Sequence, residues 1–245
     1  MAEKKEKTLV AASENTAKKA DSTTGKELKE AAPVGNAKAL RWEAVGLWIL
    51  GLALEIIALF LLIGKITIPF LNFIPTLWQA IIALALDFGA VVWGAQLWKK
   101  ANHIDPVSEQ NKLKWWLWDN MGVIAAAFCF VPFIILVLTN NDLDQKTKGI
   151  ATGAAAVLCV AAGLLNYDWN PVSSEMKDAA VAELGATTVY WSRYGKVYHT
   201  SQDCQALNQS DSLTYGTVEE AIAANRSRLC KFCADRDGIT DIDTN

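Results

Sequence analysis

Four long apolar runs dominate the chain: Trp42–Gly64, Pro75–Trp98, Trp115–Thr139 and Gly149–Asn166. A hydrocarbon core about 30 Å thick takes roughly 20 residues of helix, so each run can span a bilayer, the fourth barely. A soluble bundle of four such helices would need a polar shell that the sequence lacks. Before the first run the pattern vanishes. Residues 1–40 are mostly Ala, Lys, Glu, Ser and Thr, too poor in large apolar groups to offset chain entropy by burial, and are expected to form a disordered cytoplasmic tail with transient helix at most around Gly25–Ala32. The tail is too long and too acidic for the n-region of a cleaved signal peptide. After the last run short β-prone stretches, Thr188–Trp191 and Lys196–His199, flank Arg193-Tyr194-Gly195 and predict a hairpin. Thr217, with Glu220 three positions on, predicts a capping box and a helix through Ala224. The expected fold is an α-helical membrane bundle of four transmembrane helices over 41–169, a linker at 170–186, a small α+β module over 187–237, and a flexible tail over 238–245.

Small and polar residues refine the bundle. Ala80, Ala83, Asp87, Ala90 and Gly94 recur at helical spacing on the second run, and Gly149, Gly153, Ala156 and Gly163 on the fourth, two faces along which helices can approach closely. Pro132 is expected to kink the third helix or break its hydrogen-bond ladder. Pro69, Asn72 and Pro75 predict a short, stiff connection between the first two. Glu55 and Asp87 lie near the middle of the first two runs, at a depth where a charge costs at least about 2.5–3.5 kcal/mol on insertion scales. Such residues face the protein interior and mark ion or proton paths, or hydrogen-bond helices together. Asp119, in a Trp cluster, reads as interfacial.

Aromatic rings and charge give an orientation. Trp42, Trp78, Trp98, Trp115, Trp116, Trp118, Tyr167 and Trp169 lie near the ends of runs, where amphipathic rings prefer the headgroup level, whereas Trp48 and Trp93 lie further in. Lys and Arg number nine up to Arg41 and four in the Lys99–Lys114 loop, against one at Lys65 and two in Asn140–Lys148. The positive-inside rule then puts both termini in the cytoplasm. A formal net charge of -3 gives no argument for nucleic acid or any strongly charged partner.

The candidate chemistry lies at the C-terminal end. His199 is followed after four residues by Cys204, and Cys230 and Cys233 form a C-x2-C knuckle. Two residues between thiolates let a tight turn aim both sulfurs at one ion, which a distant His/Cys pair can enclose in a tetrahedron, with zinc the natural occupant. Cys129 and Cys159 fall in apolar runs, so the cysteines read as an intracellular set without disulfides. His103, beside Asp105 in a cytoplasmic loop, reads as solvated surface. No Ser or Cys nucleophile, Gly-rich phosphate loop or HExxH pattern appears, and an enzyme is the least supported class.

The order V-Y-x-S-x-x-G-K-V-Y-H-x4-C-x2-L, then T-V-E-E-A-I and C-K-F-C, resembles the Ada-type metal-binding fold, in particular small zinc modules appended to bacterial competence membrane proteins and secreted nucleases. The likeness covers Thr187–Arg236, about a fifth of the chain; the apolar runs carry none. It implies a zinc site at His199, Cys204, Cys230 and Cys233. Alkylation-repair members use four Cys, one of which accepts a methyl group from a DNA phosphotriester; His199 replaces one Cys here and lowers the nucleophilicity of the remaining thiolates.

The leading expectation is a polytopic inner-membrane protein displaying a structural-zinc interaction module to a cytoplasmic protein partner. Its alternative is a small ion- or proton-coupled transporter or channel using Glu55 and Asp87, with the module regulatory. A membrane-tethered DNA-processing accessory rests on the resemblance alone. Between Arg193 and Arg236 six basic residues are set against five acidic ones, and three thiolates on one zinc add a further negative charge, whereas duplex binding calls for clustered positive charge. The bilayer and a second copy of the chain complete the expected partners.

Overall fold

The computed structural model describes residues 7–13, 35–71, 73–240 and 242. The chain divides into two compact units: one of residues 38–99 and 116–168, the other of the N-terminal strand, the 100–115 segment and everything from Trp169 onward.

The first unit is helical. In order come α1 (Ala37–Leu62), α2 (Thr76–Ile104), the short α3 (Lys112–Asp119), α4 (Met121–Thr139) and α5 (Gln145–Asn166). All but α3 are long and apolar enough to cross a membrane. The 19 residues of α4 reach about 28 Å at 1.5 Å per residue. Large apolar side chains such as Phe128, Val157 and Ile49 are exposed, a surface suited to hydrocarbon.

The third apolar run breaks where no break was expected. Asn120 separates α3 from α4, its Nδ2 donating to the Trp116 carbonyl that its backbone N–H also reaches, each at 3.0 Å. A side chain bonding the i−4 carbonyl offers the backbone an alternative to continued helix. Pro132, by contrast, sits inside α4, which continues to Thr139. Asp144 Oδ2 accepts from the Thr147 N–H at 3.0 Å and so starts α5 at Gln145, ahead of its apolar run.

One expected small-residue face is observed and the other is corrected. Ala80, Ala83, Asp87, Ala90 and Gly94 are buried on α2. A Cβ at Gly94 would lie 3.0 Å from the Ala44 carbonyl oxygen and 2.7 Å from Trp48 Nε1, and one at Gly51 would lie 2.5 Å from Asp87 Oδ1. α1 and α2 thus approach through notches that only glycine leaves open. On α5, Gly149, Gly153 and Ala156 are exposed, and the buried face is Ala151, Ala155, Ala162 and Asn166. Asn166 turns that face inward, its Nδ2 donating to the Gly122 carbonyl at 3.1 Å, and alanine methyls fill space that glycine would leave empty.

Trp42, Trp78 and Trp169 are exposed, as rings at a headgroup level would be. Trp98 is not: it is buried between Trp48 and Trp118, with ring centroids at 5.4 and 5.2 Å, and its Nε1 donates to the Trp118 carbonyl at 2.9 Å. This stack also accounts for Trp48, whose Nε1 reaches the Val91 carbonyl at 3.3 Å. Asp119 is buried. Between α1 and α2 a 3-10 turn, Pro69–Leu71, is held by Gln79 Nε2 donating to the carbonyls of Leu71 and Ile74; Asn72 lies outside the described residues.

The second unit contains β1 (Thr8–Ala11), α6 (Ser174–Leu184), β2 (Val189–Trp191), β3 (Val197–Tyr198), β4 (Ser212–Gly216), α7 (Val218–Ala223), β5 (Arg228–Leu229) and α8 (Lys231–Asp237). Its strands form two sheets, β1-β4-β2 and β3-β5. Strand β1 lies within the tail expected to be disordered: Thr8-Leu9-Val10-Ala11 is a short β-prone run that finds the β4 edge, in parallel register from Thr8↔Ser212 to Ala11↔Tyr215. Beyond 7–13 the tail, including Gly25–Ala32, lies outside the described residues, apart from 35–40, which lead into and begin α1.

The expected linker at 170–186 holds α6, capped by Ser173 Oγ accepting from the Met176 N–H at 3.1 Å. Ala180 and Leu184 enter the module's core with Trp191, Tyr198, Leu213 and Leu229. The predicted hairpin shrinks to one antiparallel bridge, Tyr190 with His199, because β2 pairs with β4 and β3 with β5. The capping box forms as expected, Thr217 Oγ1 accepting from the Glu220 N–H and Glu220 from the Thr217 N–H.

His103, expected in solvent, is buried with Nδ1 3.2 Å from the Ile222 carbonyl oxygen. Glu175 clips the same loop to α6, accepting from Ser108 Oγ and from the Glu109 N–H at 3.0 Å, which holds its carboxyl down at about 2.

Candidate metal centre

Two short elements deliver the four ligands. The parallel pairing of β3 with β5, Val197↔Arg228 and Tyr198↔Leu229, places the next residues of both strands, His199 and Cys230, side by side. The Cys230 N–H donates to the Tyr198 carbonyl at 2.9 Å and locks that register. Cys230 is also the N-cap of α8, and its carbonyl accepts from the N–H groups of Cys233 and Ala234, each at 3.0 Å, so the knuckle closes as a helical turn. Cys204 precedes the 3-10 turn Gln205–Leu207, whose Leu207 is buried in the core.

All four side chains are buried, and their ligand atoms lie within 4.8 Å of one another. Cys204 Sγ and Cys230 Sγ are 3.9 Å apart, and Cys233 Sγ is 3.8 Å from His199 Nδ1, which identifies Nδ1 as the inward nitrogen. The group can hold a metal ion. Burial, aided by the charge of Lys7, pushes the imidazole down to about 4, so it presents a lone pair at neutral pH. Burial pushes the Cys204 thiol up to about 12, so an ion must displace its proton to bind.

A surrounding clip was not legible from ligand spacing. Arg236 Nε pairs with Asp237 Oδ1 at 2.6 Å, Arg236 Nη2 donates to Thr200 Oγ1 at 2.7 Å, and Thr200 donates to Asp237. The clip ties α8 to the residue after His199, and Arg236 interacts electrostatically with Cys233 and Cys204. Three thiolates and a neutral imidazole around a divalent ion would leave one negative charge, to which the Arg236 guanidinium is opposite in sign.

The Asp87 carboxyl fills the notch at Gly51, one turn before Glu55 on α1, and the two acids interact electrostatically with each other and with Cys129 of α4. Both acids are buried. Glu55 Oε1 accepts from the Phe133 N–H at 3.1 Å, immediately after Pro132. Glu55 Oε2 and both Asp87 oxygens have no hydrogen-bond partner among the described residues. Compared with family models, curated proteins and solved structures, the chain matches none.

Proposed function

We propose that the protein is a multi-pass bacterial inner-membrane protein, both termini cytoplasmic, whose C-terminal module is a binding platform for a cytoplasmic protein, stabilised by zinc that performs no chemistry. The observation that carries this reading is the closure of the site: His199, Cys204, Cys230 and Cys233 are all buried, and four protein ligands leave no position for water or substrate. A zinc tetrahedron with bonds near 2.3 Å to sulfur and 2.0–2.1 Å to nitrogen has edges of about 3.8 and 3.6 Å. The observed 3.9 and 3.8 Å lie close to both. The resemblance of Thr187–Arg236 to Ada-type modules supports the same assignment. X-ray absorption at the zinc edge of the purified full-length protein is expected to give three sulfurs and one nitrogen; a coordinated oxygen would open the site and sink the structural reading.

The pairing of β1 with β4 supports the topology, since an even number of spans returns the chain to the side on which it began. The test is labelling in intact cells with a membrane-impermeant maleimide, using single cysteines at two exposed positions, Tyr194→Cys in the module and Phe73→Cys between α1 and α2. Phe73→Cys is expected to react and Tyr194→Cys to stay dark until the cells are opened. The reverse pattern would invert the protein.

We infer as a second reading that Glu55 and Asp87 take up a cation within the bundle, as the centre of a small ion- or proton-coupled pathway. Their unpartnered oxygens favour it: buried acceptors without donors are costly unless a proton or metal cation sits among them.

A further inference from the structure

A cavity of about 560 Å³ in the second unit lies away from the ligand residues of the metal centre in its lining. The sheet register builds its floor. Val10 of β1 and Trp191 of β2 both pair with Thr214 of β4, so the three form a row across one face, with Ser212 two residues along from Thr214. Ala223 and Ala224 at the end of α7 form one wall, and the charged groups are Lys100, Arg193, Arg226 and Glu220.

The lining charge runs against that of the chain. Three cations and one carboxylate give two positive charges in excess, in a protein of net charge -3. Glu220 is already engaged by the Thr217 N–H and by Ser13 Oγ. Arg226 is set in place by its own backbone. Asn225 adopts a left-handed conformation (φ 65) after α7, and the Arg226 N–H closes the turn on the Ala221 carbonyl at 2.9 Å. The guanidinium then donates to the carbonyls of Ser192, at 3.0 Å, Arg193 and Ala224, which leaves its buried Nε–H without an acceptor. Burial also lowers the Arg226 pKa from its ordinary value, a cost that an anion nearby would relieve. Three cations and two hydroxyls in one lining suit an acceptor-rich ligand.

We propose that this cavity binds a small phosphomonoester with a compact apolar body, held through its phosphate by Lys100, Arg193, Arg226 and the hydroxyls of Ser212 and Thr214. A phosphate carries about −1.5 to −2 charges at pH 7, which matches the excess of the lining where a carboxylate would supply only half. Val10, Leu213 and Trp191 give the body an apolar surface, and the volume falls within the roughly 300–1,000 Å³ usual for small-ligand sites. Because Val10 and Ala12 belong to the N-terminal segment, the site is complete only when β1 is in the sheet. This inference stands apart from the zinc reading, since neither cavity nor lining uses the four ligands.

The test is calorimetric titration of the full-length, zinc-loaded protein in phosphatidylcholine nanodiscs with phenyl phosphate, with benzoate as the carboxylate control. Saturable binding of phenyl phosphate, clearly tighter than benzoate, is expected. Lys100→Glu and Arg193→Glu, at exposed positions, should each weaken it roughly tenfold or more, as loss of a charge-assisted bond does. Thr214→Val, which keeps the β-branched shape on the floor, should weaken it less. Zinc content of each variant reports folding separately. Displacement of phenyl phosphate by phosphatidic acid in the nanodisc would support the same site with a lipid headgroup as its phosphate source. Absence of saturable binding, equal affinity for benzoate, or binding that survives both charge reversals would overturn the proposal.

Discussion

Removing the metal from the loaded full-length protein is expected to abolish amide-exchange protection across β3, β5 and α8 while leaving the helices of the first unit intact. The reason lies in how the β3–β5 pair is held. It is only two residues deep on each strand, and a pair that short is not stable alone. A bound ion would tie its ends through His199, just after β3, and Cys230, just after β5. Structural zinc contributes about 10–16 kcal/mol of apparent binding free energy in small modules, as large as a domain's whole usual margin of about 5–15 kcal/mol, so loss of such an ion is decisive. The core around Trp191, Tyr198 and Leu213 should stay collapsed without fixed packing, because α6 and the β1-β4-β2 sheet contribute to it independently of the ion. Cys230→Ser should reproduce the effect without a chelator. Protons compete with zinc for three thiolates and one imidazole, so metal release should advance as pH falls. Unchanged protection over residues 197–237 after complete metal removal would mean that the ligands are misread.

The second large effect concerns Asp87. In proteoliposomes carrying a cation gradient, Asp87→Asn is expected to keep the fold and abolish cation-coupled flux. An amide has nearly the shape of a carboxyl and fits the same notch against Gly51, but it cannot exchange a cation. Asp87→Leu should remove the polar group with the same loss of flux. Glu55→Gln is expected to be milder for structure, because the Gln carbonyl oxygen can still accept the Phe133 N–H. Flux that survives Asp87→Asn would leave the pair with a purely structural part in joining α1, α2 and α4.

The four ligands and the four long helices were legible because each rests on a local signal, fixed spacing in one case and run length in the other. What escaped depends on pairing over distance. β4 reads as an unremarkable Ser-Leu-Thr-Tyr-Gly until β1 and β2 flank it, and α6 lies in a polar stretch whose buried positions, Ala180 and Leu184, carry little amphipathic signal. The rotation of α5 also depended on a partner: Gly149 and Gly153 made the obvious stripe, and Asn166 with the alanines turned the other face inward. Asn225 was a usable sign, since Asn after a helix often marks a left-handed stop; it would have foretold the turn that presents Arg226.

Strand β1 also has a consequence for the order in which the protein can be made. It leaves the ribosome long before its partner β4; Ser13 and Glu220, which bond beside it, are 207 positions apart. The three-stranded sheet therefore cannot close until β4 and all that precedes it have been made. A nascent or truncated chain would carry Thr8–Ala11 unpaired, an exposed β-prone segment open to proteases and to other strands. Closure of this sheet thus distinguishes a chain in which β4 has been made from one in which it has not.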